Sequence, residues 1–285
     1  MKLTIFTTMT EPTKRQDAWK EAVNSYLDLA DEVLLVIGDK DLWHSEDSKE
    51  IVSTWNKHPR IKVMYHVWDE EFNWSFIGEQ FQRGYEAAEG DWVIRADLDY
   101  IFHEKDIDRI RTMLNLIGDA PAASFWKYQF LLVDRYQIKS RPVIAMNKLK
   151  YGDRIKLNGG GDLCQPTLDG ELITSESVPE IKCPIYNYDF CFKSEKIIRK
   201  DFQRFSRAWF KTFGEYTIGG PDEESAFQYF KQMMVGRFLG RGHEQIDLSA
   251  HPRYIQERIK HLESDRFGYS MFGWVGETAK YYTNN

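Results

Sequence analysis

The sequence predicts an α/β protein built on a largely parallel sheet, and three observations carry that expectation. Short apolar runs alternate with amphipathic helical patterns from the N-terminus to Asp99, the signature of βαβ units. Hydrophobic residues make up 42% of the 285 positions and charged residues 29%, which is enough apolar chain to bury a core and too much for disorder. From about Ala122 the pattern changes to longer, aromatic-rich stretches that read as antiparallel strands. The length suits one domain, with residues 1–120 and 121–285 as its halves.

Taken in order, Leu3 to Thr7 reads as a buried strand. Trp19, Ala22, Val23, Tyr26, Leu27 and Ala30 recur at three- and four-residue intervals, so this stretch is expected to be a helix with one face on the sheet. Asp31 to Gly38 gives a second strand, a helix follows around Ser48 to Asn56, and Ile61 to His66 is a third strand. Ile77, Phe81, Tyr85 and Ala88 mark another helix, and Glu89-Gly90-Asp91 turns the chain into a strand from Trp92 to Ala96. In the second half, Ala123–Tyr136 and Arg141–Leu149 read as strands, and Asn158 to Asp162, with three successive glycines, reads as a loop. Helices are expected again at Ser194 to Phe210, Glu223 to Met234 and Pro252 to Leu262.

A formal net charge of −6 gives no global attraction for nucleic acid or anionic lipid, so a polyanionic partner would have to be held locally. Three cysteines, Cys164, Cys183 and Cys191, match neither a paired zinc motif nor a redox pair, and read as reduced thiols. The first apolar run is far too short for a secretion signal and no later run reaches the length of a membrane span, so the expected location is the cytoplasm.

Chemistry concentrates in Gly90–Asp99, a strand ending in two carboxylates one residue apart, Asp97 and Asp99. Ligands of open α/β sheets bind beyond the carboxyl ends of the strands, which puts both acids at the expected mouth of a site. Two carboxylates so offset can approach one hard cation, Mg²⁺ or Mn²⁺, and leave coordination positions for phosphate oxygens. Acidic pairs at strand ends also simply terminate strands or cap the next helix, and spacing alone does not separate the two.

The segment Gln82-Arg83-Gly84-Tyr85-Glu86-Ala87-Ala88-Glu89-Gly90-Asp91, leading into Arg95-Ala96-Asp97-Leu98-Asp99, resembles the helix, turn and metal strand of glycosyltransferase family 2 and its GT-A relatives. The resemblance runs from Leu3 to Asp99. It implies a three-layer α/β/α sandwich with a mixed, largely parallel central sheet, in which residues 1–120 bind a nucleoside-diphosphate sugar and residues 121–285 bind the acceptor. It also implies a divalent metal at Asp97 and Asp99, and contacts to base or ribose from Thr7, Thr8 and Asp39; Arg83 or Arg95 is placed to steady a phosphate or ribose, and either reads equally as a surface residue. After the second strand the relatives' Asp-Asp-Gly-Ser is replaced here by Gly38-Asp39-Lys40-Asp41, so Asp39 reads equally as a turn residue.

Relatives place an acidic pair at a helix start as catalytic base, and Asp222 and Glu223 after Pro221 fit that pattern; acids there are equally favoured by the helix dipole. A C-terminal histidine often completes the metal site, which points to His251, with His243 as the alternative. In Pro184–Phe190 this chain carries Asn187 where such relatives have a histidine. The Gly159–Gly161 loop is either a lid over the donor or a plain connection.

The implied reaction is transfer of a sugar to a hydroxyl acceptor: a glycan, a lipid-linked molecule or another small acceptor. Basic residues from Lys193 to Lys211 lie among aromatics, which leaves a modified base in DNA as a minority acceptor. A catalytically silent GT-A-like binding module and a nucleotidyltransferase remain as other readings, although Thr7 to Pro12 lacks the glycine-rich loop the latter would use.

Overall fold

In the first half of the chain, near-continuous apolar runs form parallel strands, of which the inner three are buried on both faces and the edge one is partly exposed. The computed structural model describes residues 1–38, 46–66, 74–139, 141–240 and 243–262. Strands β1 (Leu3–Met9), β2 (Glu32–Ile37), β3 (Ile61–Tyr65) and β4 (Trp92–Arg95) alternate with helices α1 (Trp19–Leu29), α2 (Glu46–Trp55) and α3 (Trp74–Ala87). They pair in parallel in the order β4-β1-β2-β3, with Ile5 level with Val33 on one side and Ile94 on the other. The order reverses at β1, and the crevice beside β1 and β4 is where such sheets bind ligands.

The remaining elements extend and cover this sheet. They are β5 (Tyr100–Phe102), α4 (Ile107–Leu116), β6 (Ala122–Leu132), β7 (Arg135–Lys139), β8 (Val143–Asn147) and α5 (Lys148–Tyr151), then β9 (Ile155–Gly159), β10 (Gln165–Leu168), β11 (Glu171–Leu172) and β12 (Glu180–Asn187). Last come α6 (Glu195–Phe213), α7 (Glu223–Gly240), β13 (Glu244–Gln245) and α8 (Arg253–Lys260). Antiparallel β8 joins β4 to β6, and β6 carries β7 and, in parallel, β12, which also pairs with β5. The α/β class and the mixed sheet expected from the sequence are thus what the chain forms. No helix among the described residues is long and apolar enough to cross a membrane.

Two points differ from the sequence expectation. Asn158 and Gly159 are not loop but the end of β9, with Gly159 level with Gln165 in a small three-stranded sheet, and only from Gly160 (φ +71°) does the chain turn. Short β5 and β12 went unread as a pair, because their partners lie far apart in sequence.

Close packing fixes α3 over the parallel strands. A Cβ on Gly84 would lie 2.7 Å from the Phe6 ring, so glycine there lets the helix settle onto β1. On the other side of the sheet α1 buries Trp19, Val23 and Tyr26, each contributing on the order of 2 kcal/mol of burial. Helices α6 and α7 form a hairpin around Ile198, Phe202, Phe227 and Phe230. The edge of Trp74 on α3 meets Phe205 and Trp209 on α6.

Candidate active site

The backbone of β4 continues past Arg95 by one more ladder bond, Ala96 N–H to the Phe6 carbonyl at 3.0 Å, and then turns, with Tyr100 N–H donating to the Asp97 carbonyl at 2.9 Å. Asp97 and Asp99 therefore straddle the turn between β4 and β5. The turn is pinned from both sides: Tyr26 of α1 donates its hydroxyl to the Asp97 carbonyl at 2.6 Å, and Tyr188 N–H, just past β12, donates to the Asp99 carbonyl at 2.9 Å. Both aspartates line a cleft of about 200 Å³, together with Thr8 of β1 and the apolar Ile77 and Phe81 of α3.

The two carboxylates differ. Asp97 is 37% exposed, and Arg95 approaches it at 3.7 Å. Arg95 itself is buried: one guanidinium nitrogen donates to the Cys164 carbonyl at 2.9 Å and meets its sulfur, and the group lies over the Phe81 ring. Asp99 accepts from the Asn187 amide on one oxygen, while its other oxygen, Oδ1, is buried with no hydrogen-bond partner among the described residues. Burial and then the neighbouring charges of Asp189 and Asp97 hold the Asp99 carboxyl well above the usual range. Asp189 follows the end of β12 into the same cleft, and burial pushes its carboxyl up to about 6 against the opposing pull of Lys193.

Cations form the facing wall. Arg15, Lys193 and Arg204 all line the cleft and converge on buried Asp201, with Asp17 beside them. Lys193 Nζ lies 3.0 Å from both Asp17 Oδ1 and Asp201 Oδ2. Burial favours neutral Asp201, but Arg15, Lys193 and Arg204 outweigh it and hold the carboxyl below its usual range. Burial and then Arg15 pull Arg204 down to about 10, which leaves it a cation at neutral pH. Across its lining the cleft thus sets three cations against Asp17, Asp97, Asp99 and Asp189.

The structure brings Thr8, Asp97 and Asp99 together, with Arg95 behind Asp97. Thr7 is fully buried in β1, and its hydroxyl has no partner there. Asp39 lies outside the described residues. Arg83 is on the far side of α3, where its Nε donates to His66 Nε2 at 3.3 Å, and it does not reach the cleft.

Asp222 and Glu223 are not among the cleft-lining residues. Asp222 caps α7, accepting from Ser225 N–H at 2.9 Å and from the Ser225 hydroxyl at 2.8 Å, the role helix-terminal acids fill without catalysis. His251 is not brought to the aspartates either. It is fully buried in an aromatic cage, its Nδ1 2.6 Å from the Tyr188 hydroxyl and its ring 5.0 Å from that of Phe130, and burial pushes its pKa down to about 4. His243 does not line the cleft. Among the described residues no group of three His, Cys, Asp or Glu side chains is assembled to hold a metal. The Gly159–Gly161 segment does not line the cleft; just beyond it the Leu163 backbone packs on Gly78 and Cys164 holds Arg95.

Sequence reasoning missed Asp189, Arg15 and Asp17 as site residues and read Lys193 and Arg204 as one basic helical stretch. That stretch divides: Lys193 and Arg204 turn into the cleft, while Lys196, Lys200, Arg207 and Lys211 are exposed. The available signal was the segment ending Asn187-Tyr188-Asp189, where a strand again delivers a polar residue and a carboxylate to one end of the sheet.

No protein-family model matches the sequence, and no curated protein matches it. Among solved structures, the chain is similar to residues 1–349 of S. aureus TarS, with 12% identity, 85% of this chain and 73% of that chain covered, and a TM-score of 0.42. It is similar to the same TarS segment in complex with UDP-GlcNAc, with 11% identity, 99% and 82% covered, and a TM-score of 0.41. It is also similar to the mannosyltransferase PcManGT from Pyrobaculum calidifontis in complex with GDP-Man and Mn²⁺, with 11% identity, 99% and 87% covered, and a TM-score of 0.41. At these identities and scores the likeness says nothing about individual residues, ligands or reaction, which rest on the chain's own side chains.

Proposed function

We propose that the chain is a metal-dependent glycosyltransferase, moving a sugar from a nucleoside diphosphate to a hydroxyl acceptor, with the cleft between β1, β4 and α6 as its active site. The observation that carries this reading is the buried, unpartnered Oδ1 of Asp99 beside Asp97 and Asp189. A charged oxygen so placed is costly unless a cation or hydrogen-bond donor meets it. The carboxylates of Asp97 and Asp99 repel one another, and a divalent cation between them would relieve both. The fit is to Mg²⁺ or Mn²⁺, which are commonly held by one or two carboxylates with the remaining positions filled by water and substrate phosphates.

Charge balance points the same way. With all four lining carboxylates ionised the cleft carries one net negative charge, and a divalent ion turns it into one net positive, so a diphosphate is then attracted rather than repelled. Asp97 and Asp99 would hold the ion, which when bound supplies Lewis-acid stabilisation of charge on the departing diphosphate. Arg15, Lys193 and Arg204, fixed by Asp17 and Asp201, present cations to the same oxygens, prearranged before charge develops. Asp189, rather than Asp222, is the carboxylate in the cleft and fits the base that takes the acceptor hydroxyl's proton as oxygen bonds to the anomeric carbon. Ile77, Phe81 and Phe205 supply apolar wall that excludes water from the donor.

The motif resemblance from Gln82 to Asp99 supports a nucleotide-sugar donor; the sugar, the nucleotide and the acceptor are set by contacts beyond this motif. The deciding experiment measures thermal stabilisation by a panel of nucleotide sugars with and without Mn²⁺. Stabilisation that needs the metal and is absent from Asp97→Asn is expected, and equal stabilisation without metal overturns the assignment.

A further inference from the structure

Helix α3 has two sides with different tasks, one packed on the sheet and one turned away from it. Ile77 and Phe81 look into the cleft, whereas positions 75, 79, 82 and 86 share the opposite stripe and, with β9, enclose a second cavity of about 460 Å³. Its floor is apolar, made by Gly78, Leu157 and Leu163. Glycine is required there, because a Cβ on Gly78 would lie 2.1 Å from the Leu163 carbonyl oxygen and 3.1 Å from that of Leu157. The volume is that of a small-molecule pocket, and more than twice that of the cleft.

The walls select by charge. Glu79 and Glu86 stand against Arg83 and Lys156, so the lining is neutral overall but dense in hydrogen-bonding groups. Gln82 is locked between them, its Oε1 accepting from Leu157 N–H at 2.8 Å and its Nε2 donating to Glu86 at 2.9 Å. The side chains of Glu79 and Lys156, in contrast, make no hydrogen bond or ion pair among the described residues and are free for a ligand. An anion would meet two carboxylates and a cation two positive groups. A molecule rich in hydroxyls and without net charge satisfies both sets, since each hydroxyl donates to a carboxylate and accepts from a cation or amide. Its less polar face suits the Gly78–Leu157–Leu163 floor.

We propose that the groove between α3 and β9 is a second binding site, separate from the cleft, for a neutral saccharide unit. It stands independently of the reaction assigned to the cleft. The test is calorimetry and hydrogen exchange on the full chain with glucose, N-acetylglucosamine and maltose, and with glucose 6-phosphate and glucosamine as charged counterparts. Saturable binding of at least one neutral sugar is expected, with protection confined to residues 75–86 and 156–163 and binding of the charged counterparts weaker by about tenfold. The Glu79→Ala/Glu86→Ala double variant should weaken binding by about tenfold at unchanged melting temperature. Asn158→Trp, at an exposed position on the rim, should block it without touching the floor, and Asp97→Asn/Asp99→Asn should leave it intact. Absence of saturable binding, equal affinity for the charged sugars, or protection in the cleft that is lost in Asp97→Asn/Asp99→Asn would each overturn the proposal.

Discussion

Asp99 gives one oxygen to Asn187 and leaves the other buried and bare, a costly arrangement for an isolated protein. Asp99→Asn should therefore raise the melting temperature of the metal-free chain, by about 1 kcal/mol in stability, while abolishing the extra stabilisation from nucleotide sugar with Mn²⁺. A thermal scan with and without both ligands reads the two effects together. His251 makes a separate, pH-linked prediction. Its pKa falls from 6.5 to about 4 on folding, so the unfolded chain takes the proton first. The stabilisation is whole above pH 6.5 and drains away as pH falls to 4, about 3 kcal/mol in full. Asp189, raised from 3.8 to about 6, works in the opposite sense, costing stability as pH rises through that range. The comparison that isolates His251 is therefore urea denaturation of wild type against His251→Gln, in which the acid-side loss should shrink.

At the scale of elements, Asp222 and Gly78 separate structural from catalytic acids and tight from loose packing. Asp222→Ala should cost about 1 kcal/mol as a lost helix cap and leave turnover unchanged, whereas Asp189→Asn should lower kcat with little loss of stability. Gly78→Ala should destabilise by about 2 kcal/mol, because backbone rather than a flexible side chain opposes the new methyl. It should also weaken donor binding, since the displaced Leu163 leads directly into Cys164, which holds Arg95 behind Asp97.

The run β1 to β4 was readable because each strand there is a local apolar stretch followed by a helix of clear period, and Asp97 and Asp99 stand at its end. The partners of β5 and β12 are set by pairings across long stretches of chain, and register shifts at Ile181/Ile185 and, in the β6–β7 hairpin, at Phe130/Leu132 blur any two-residue alternation. Asp189 became visible only once β12 was placed beside β5. Arg15, Lys193 and Arg204 could not be told from surface charge until Asp17 and Asp201 were found buried against them.

For the whole molecule, the cleft joins four separate stretches of chain: Thr8 to Asp17, Ile77 to Phe81, Asp97 to Asp99, and Asp189 to Phe205. A version ending at Asn187 would keep the Asp-x-Asp turn but lose Asp189 and two of the three cations, and should show no donor-induced rise in melting temperature. The same geometry bears on how the protein comes into being. While it is being made on the ribosome, the first half can gather its strands as they emerge, yet the cleft is incomplete until α6 has left the exit tunnel. If the cleft is the donor site proposed above, a newly made chain is silent toward sugar nucleotides until most of it has been translated.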